Sequence, residues 1–265
     1  MNGNKVKSEL FYTRVKKDAQ TVYYYETDNY LFPAEKPSLK NIIEKNISNK
    51  KILSNPWENW SSNDPQLIHS KISGIPLNYL KTTIPDKINE VEDRNLTILY
   101  KYVFDEFDAN TPLTMKIIND WHKRLFYNIF PFAGKYRTVE LHKGDESSEF
   151  PMTWRIDFLK GLPEFEKLLL EADNIAFHNI NDIAIKVSEI ICEFLFIHPY
   201  REGNGRISRL IGDYLLVKND FPPVGANLKV DESEYIRRLH VGYRSKSYAP
   251  MSELIIEKIN TIMNS

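Results

Sequence analysis

Twelve consecutive residues, His198-Pro-Tyr-Arg-Glu-Gly-Asn-Gly-Arg-Ile-Ser-Arg209, combine a titratable base, a carboxylate, two glycines, an amide and two arginines. Each type suits the binding and reaction of a polyphosphate. Gly203 and Gly205 lack a Cβ, so their backbone can take a positive φ and approach an anion closely. Their N–H groups, with that of Asn204, can form a concave nest. A helix expected to start between Asn204 and Ile207 adds unpaired N–H groups and the positive end of its dipole. Arg206 and Arg209 are three apart, so both project to one side of that first turn, where guanidinium forks match phosphate oxygens. Glu202 makes sense beside phosphates if Mg²⁺ bridges the two. His198 is the one group here whose ordinary pKa suits general-base work near neutrality. Singly, such residues serve as caps, turns or solvated ion networks. Their conjunction directly after an apolar helix points to phosphate chemistry.

These side chains need elements to hold them. The run Ile190-Ile-Cys-Glu-Phe-Leu195 belongs to a strongly apolar helix ending at Ile197, with Asn181 or Asp182 as its expected cap. Ile207 to Val217 reads as the next helix, stopped by Pro222-Pro223. Upstream, Ile88, Val91, Leu96, Leu99, Val103 and Phe107 recur at helical spacing over Asp86 to Phe107. Thr111-Pro112-Leu113 reads as a cap for a helix over Leu113 to Phe126, with Ile117, Trp121 and Leu125 on one face. Pro131 and Gly134 break the chain. Lys135 to Phe150 then interrupts the helical pattern, and Gly144-Asp145 supplies turn chemistry for a β-hairpin. Ile156 to Ala172, Glu232 to Tyr243 and Met251 to Ile262 complete a mainly α domain over residues 85–265.

Residues 1–84 differ. They are rich in Asn, Lys, Ser, Pro and Tyr, and read as an arm or small appendage, with a regulatory role left open. Tyr23-Tyr24-Tyr25 suits a strand, Leu39 to Ile52 a short helix, and Trp57 and Trp60 anchor by burial.

The 265 residues carry 42% hydrophobic and 27% charged side chains, as in an ordinary globular protein. The net charge of −1 lacks the basic excess of a backbone-gripping nucleic-acid binder, so no nucleic acid is expected as partner. No apolar run reaches membrane-spanning length, so no membrane partner is expected either. A single cysteine, Cys192, excludes an internal disulfide and fits a reducing, cytoplasmic setting, with export by a signal-less route left open. Cys192 reads as a small core residue.

The His198–Arg209 segment resembles the signature loop of the Fic (Fido-fold) family, His-x-Phe-x-Asp/Glu-Gly-Asn-Gly-Arg-x-x-Arg. It matches at His198, Glu202, Gly203, Asn204, Gly205, Arg206 and Arg209, and departs at Tyr200, where Phe is usual. Phe130-Pro-Phe-Ala-Gly-Lys-Tyr-Arg137 is similar to the segment before that family's hairpin flap, and Arg137 to Pro151 to the flap itself. The resemblance runs from about Pro85 to Ile262. It implies a Fic/Fido helical fold with a small hairpin flap beside the active loop. It also implies a protein adenylyltransferase, moving AMP from ATP to a Ser, Thr or Tyr hydroxyl of a target protein or of the chain itself. His198 is then the base, Glu202 the Mg²⁺ ligand, Asn204 and the glycine N–H groups the α-phosphate site, and Arg206 and Arg209 the grip on the outer phosphates. The base pocket is expected to draw on Tyr235 and Tyr243. The flap edge at Val139, Glu140, Leu141 and His142 would take the target by strand addition. Many relatives carry an inhibitory helix, Ser/Thr-x-x-x-Glu-Gly/Asn, whose Glu pairs with the second signature arginine; Ser54-Asn-Pro-Trp-Glu58-Asn fits that pattern.

Two other readings stay open. A relative with different chemistry would move UMP or another phosphate-linked group, or remove AMP; Gly205 weighs against transfer of phosphate itself. A catalytically silent helical binding module is the reading from another class, and intact His198 and Glu202 weigh against it. The sequence leaves the oligomeric state unassigned.

Overall fold

The computed structural model describes residues 12–17, 20–26, 31–34, 57–59, 62–71, 73–143, 152–228 and 232–264, and the account here concerns these. The chain divides into two compact units, residues 1–88 and 89–265.

In the first unit the aromatic and β-branched run around Tyr23 forms a strand, as its propensity favours. β1 (Tyr12–Lys17), β2 (Gln20–Glu26) and β3 (Leu31–Ala34) make an antiparallel sheet in that order. A separate pair joins β4 (Trp57–Glu58) to β5 (His69–Ser70). The Asn78 amide then pins the chain, bonding the carbonyls of Pro76 and Thr82 and the Thr82 N–H. The helix expected over 39–52 and the side-chain anchors at Trp57 and Trp60 fall outside the described residues.

The second unit is helical. α1 (Pro85–Lys101), which starts in the first unit, continues as one wider π turn over Tyr102–Glu106. α2 (Met115–Phe126) is capped by Thr114, whose hydroxyl accepts from the Ile117 N–H. The expected cap at Thr111 lies too early, because Leu113 is instead tied down through its N–H by the Asp173 carboxylate at 3.0 Å. Ile118 takes the fully buried place expected for Ile117. The hairpin forms with later arms than expected: β6 (Leu141–Lys143) pairs antiparallel with β7 (Met152–Trp154). A 3₁₀ turn over Ile156–Gly161 leads into α3 (Leu162–Asn174).

α4 (Ile180–Ile197) is the centre of the unit. Its cap is Asn179, which accepts from the N–H groups of Asn181 and Asp182, the two residues expected to be the cap. Ile183, Val187, Ile190, Ile191 and Phe194 are all buried, which is why the run is apolar nearly all round. α5 (Asn204–Lys218) lies against it, followed by α6 (Glu232–Ser245) and α7 (Ala249–Met263). Gly212 permits the α4–α5 approach, since a Cβ there would meet Ile191 at 3.0 Å and Val187 at 3.1 Å. Burial of each large aliphatic in this seam contributes about 1.5–3 kcal/mol. Cys192 is one of the core residues, and burial pushes its thiol up to about 12. The result is a mainly α unit whose helix-to-helix junction carries the twelve-residue loop.

Candidate active site

The loop begins where α4 stops. His198 closes that helix in the left-handed conformation, φ 50° and ψ 61°, with its N–H on the Phe194 carbonyl. Glycine is the usual residue in such a stop, so histidine needs support. Nδ1 lies 3.1 Å from the Leu195 carbonyl, the Arg137 Nε donates to the His198 carbonyl at 2.7 Å, and the Trp154 ring stacks on the imidazole. A carbonyl can only accept, so Nδ1 carries the proton and Nε2 the lone pair.

Arg137 is nearly fully buried and holds this corner together. Its guanidinium also donates to the carbonyls of Val139, Arg155 and Ile197, and its backbone N–H to that of Pro199. Both roots of the hairpin are thereby tied to the end of α4.

Tyr200 is fully buried, and its hydroxyl donates to Asn119 Oδ1 at 2.7 Å, whose amide in turn donates to the Tyr136 hydroxyl. That is the partner required by a tyrosine where the family pattern has phenylalanine. Asn204 closes the turn: its Oδ1 accepts from the Tyr200 N–H and its Nδ2 donates to the Tyr200 carbonyl. The sequence reading gave Asn204 to the α-phosphate; its amide side chain is spent on the loop, leaving its N–H for an anion.

The two glycines differ. Gly203 takes φ +81° and backs onto Phe126, where a Cβ would lie 2.2 Å from Cε2. Gly205 sits inside the first turn of α5, and its missing side chain makes room for Arg209, 3.3 Å from where a Cβ would be. No side chain caps α5, so the N–H groups that open it and its positive end remain for an acceptor.

Glu202 is 39% exposed and reaches Arg201 at 3.3 Å. Desolvation raises its carboxyl pKa, against the pull of Arg201 and Arg206. Its backbone is fixed by His122, which is fully buried and stacked on Tyr200 at 3.8 Å. The Gly134 N–H donates to His122 Nδ1, so Nε2–H donates to the Glu202 carbonyl. Burial pushes this imidazole down to about 4, which keeps it neutral.

The arginines do not behave as a matched pair. Arg206 Nη2 lies 2.6 Å from Glu92 Oε2, on α1, whose side chain is 5% exposed. Burial raises the Glu92 carboxyl to about 7, and Glu202 and Asp93 add to this while Arg206 opposes it. Arg209 lies beside Tyr235 and Asp213. Tyr235 is buried, and desolvation takes its phenol to about 12. Tyr243 is half exposed and packs on Phe196 at 4.5 Å. On the hairpin, Val139 is buried at the root, whereas Glu140 and His142 are exposed and Leu141 half-buried.

The residues 57–58 are extended, paired with β5. The Ser54–Glu58 pattern needs a helix, and its Glu lies on a strand because cross-strand pairing with His69–Ser70 takes its backbone; Ser54 is outside the described residues. The carboxylate that does reach a signature arginine is Glu92. Glu92, His122, Arg137 and Trp154 were not singled out from the sequence as functional. Arg137 lay within the stretch resembling the segment before the flap. The other three carry no local signal, because tertiary packing alone brings them to the loop.

The corner thus joins an uncapped helix start, an adjacent histidine and a two-stranded hairpin. Residues 112–216 match the model of the Fic/DOC family, and the chain carries a Fic domain. It is 29% identical over 168 residues to a protein adenylyltransferase Fic of Nematostella vectensis, covering 61% of this chain and 38% of that protein. It is 27% identical over 140 residues to one of Drosophila grimshawi, covering 52% and 27%. The matched stretch thus spans well under half of those relatives. The fold resembles the Fic domain of Bep8 from Bartonella sp. 1-1C, with TM-score 0.59, 15% identity, and 70% and 91% of the two chains covered. It also resembles BepC of Bartonella tribocorum, solved with AMPPNP, at TM-score 0.58, 17% identity, and 72% and 94% coverage.

Proposed function

We propose that this chain is a protein adenylyltransferase that moves AMP from ATP to a hydroxyl of a target protein. The observation that carries the reading is the His198 tautomer. With Nδ1–H held on the Leu195 carbonyl, the basic nitrogen is Nε2, at the junction that opens the uncapped α5. His198 Nε2 takes the hydroxyl proton as the oxygen attacks the α-phosphorus in line. One P–O bond forms, the bond to the β-phosphate oxygen breaks, and pyrophosphate leaves with that electron pair. The N–H groups that open α5 meet the charge that develops on the α-phosphate, and Arg209 and a released Arg206 hold the outer phosphates. The target lies along the accessible part of the hairpin edge, Glu140–His142, with Val139 buried at its root.

One partly exposed carboxylate next to a phosphate site suits Mg²⁺, which takes few protein ligands and completes its shell with phosphate and water. Glu202 would hold the ion, and the bound ion would neutralise phosphate charge.

The test uses the full chain with Mg²⁺ and ATP labelled on the α- or the γ-phosphate, a lysate as target source and His198→Ala as control. Label from the α position alone, lost in the variant, is expected. Label from γ would indicate phosphate transfer, and no label from either would remove the enzyme reading.

A further inference from the structure

Trp154 ends the second strand of the hairpin and is 7% exposed. Its ring lies over the His198 imidazole, centroids 4.1 Å apart and planes inclined by 27°. Its indole N–H donates to the Leu195 carbonyl at 3.1 Å, the same oxygen that receives the His198 Nδ1–H at 3.1 Å. Leu195 is in the last turn of α4, where a carbonyl has no helical donor and two lone pairs to fill. The indole therefore acts on the histidine twice. One face covers the imidazole, and its N–H fixes the oxygen that sets the tautomer.

We propose that Trp154 is a positioning residue for His198, holding the imidazole in the Nδ1–H tautomer and stabilising the imidazolium that forms when Nε2 accepts a proton. The catalytic half of this rests on the proposed role of His198 as general base. Trp154 exchanges no proton. The hydroxyl O–H breaks, the Nε2–H forms, and the proton later leaves to solvent. An aromatic face over a cation in a partly desolvated place is worth roughly 2- to 30-fold in rate. The charge arises only as the proton moves, so the effect belongs to kcat and not to ATP binding.

The experiment pairs Trp154→Phe and Trp154→Leu in the full chain. Ring ¹⁵N shifts of His198, assigned by loss in His198→Ala, report the tautomer without any need for catalysis. The expected result is a wild-type Nδ1–H tautomer, Trp154→Phe with an intermediate shift, and Trp154→Leu with mixed tautomers. In labelling assays Trp154→Leu lowers kcat by roughly 2- to 30-fold with KM for ATP unchanged. Trp154→Phe, which keeps a ring face, serves if the leucine variant fails to fold. A wild-type tautomer in both variants overturns the proposal, as does a loss confined to KM for ATP. If His198→Ala still transfers AMP while the tautomer depends on Trp154, the base assignment fails and the positioning claim stands.

Discussion

The two glycines of the loop should fail in different ways when each is changed to alanine. At Gly203 the backbone is left-handed, φ +81°, which costs an L residue about 1–2 kcal/mol. The new Cβ would also lie 2.2 Å from Phe126 Cε2 and 2.5 Å from Cζ. That ring cannot swing away cheaply, because it is fully buried between His122 and Phe130, with centroids at 4.8 and 5.5 Å. Overpacking of this kind adds about 1–3 kcal/mol. Gly203→Ala should therefore cost about 3 kcal/mol, a fall in Tm of roughly 6–12 °C for a domain of this size. At Gly205 the helix geometry suits alanine, and the neighbour is only the tip of the flexible Arg209 side chain at 3.3 Å. Gly205→Ala should leave Tm nearly unchanged and weaken ATP binding by displacing Arg209. Circular dichroism melts and nucleotide titration separate the two, and Phe126→Leu supplies the second leg of a cycle. In that background Gly203→Ala should lose most of its steric part. A Gly203→Ala melt within 2 °C of wild type, about the smallest shift 1 kcal/mol produces, would refute the reasoning. So would an equal cost with and without the ring.

Three further outcomes follow from neighbouring contacts. Glu92→Gln should free Arg206 for phosphate, lowering KM for ATP and raising α-phosphate labelling; unchanged kinetics would show that nucleotide already displaces this carboxylate without cost. Glu92 binds its proton more tightly in the folded chain, about 7 against an ordinary 4.5, so its contribution favours folding below 4.5 and is lost as pH rises towards 7. Urea midpoints from pH 4 to 8 should show this trend, flattened in Glu92→Gln. Tyr200→Phe removes the 2.7 Å bond to Asn119 and should cost about 1–2 kcal/mol in urea unfolding, because Asn119 Oδ1 loses its donor.

The geometry of the loop was legible because its residues are contiguous. Local rules specify a helix end, a positive-φ glycine and a new helix start, and Gly203, His198 and Asn204 follow them. Helix existence was legible from apolar spacing, whereas caps slipped to Thr114 and Asn179, since several polar residues in a row compete for one N–H. What could not be read were the residues that converge through packing. Trp154 and Glu92 come from a distant strand and helix. No spacing rule relates them to the loop. The Ser54–Glu58 pattern shows the opposite failure: a short match was legible, yet pairing with His69–Ser70 made that backbone extended.

The reciprocal bonds between the Asn204 amide and the Tyr200 backbone have a thermodynamic consequence. Both hydrogen-bonding groups of Tyr200 are satisfied inside the protein, so the turn holds its shape without a ligand. The conformational entropy of ordering the loop is lost during folding and need not be lost again when a nucleotide arrives. On the proposed function, phosphates would then meet N–H groups already ordered by the fold.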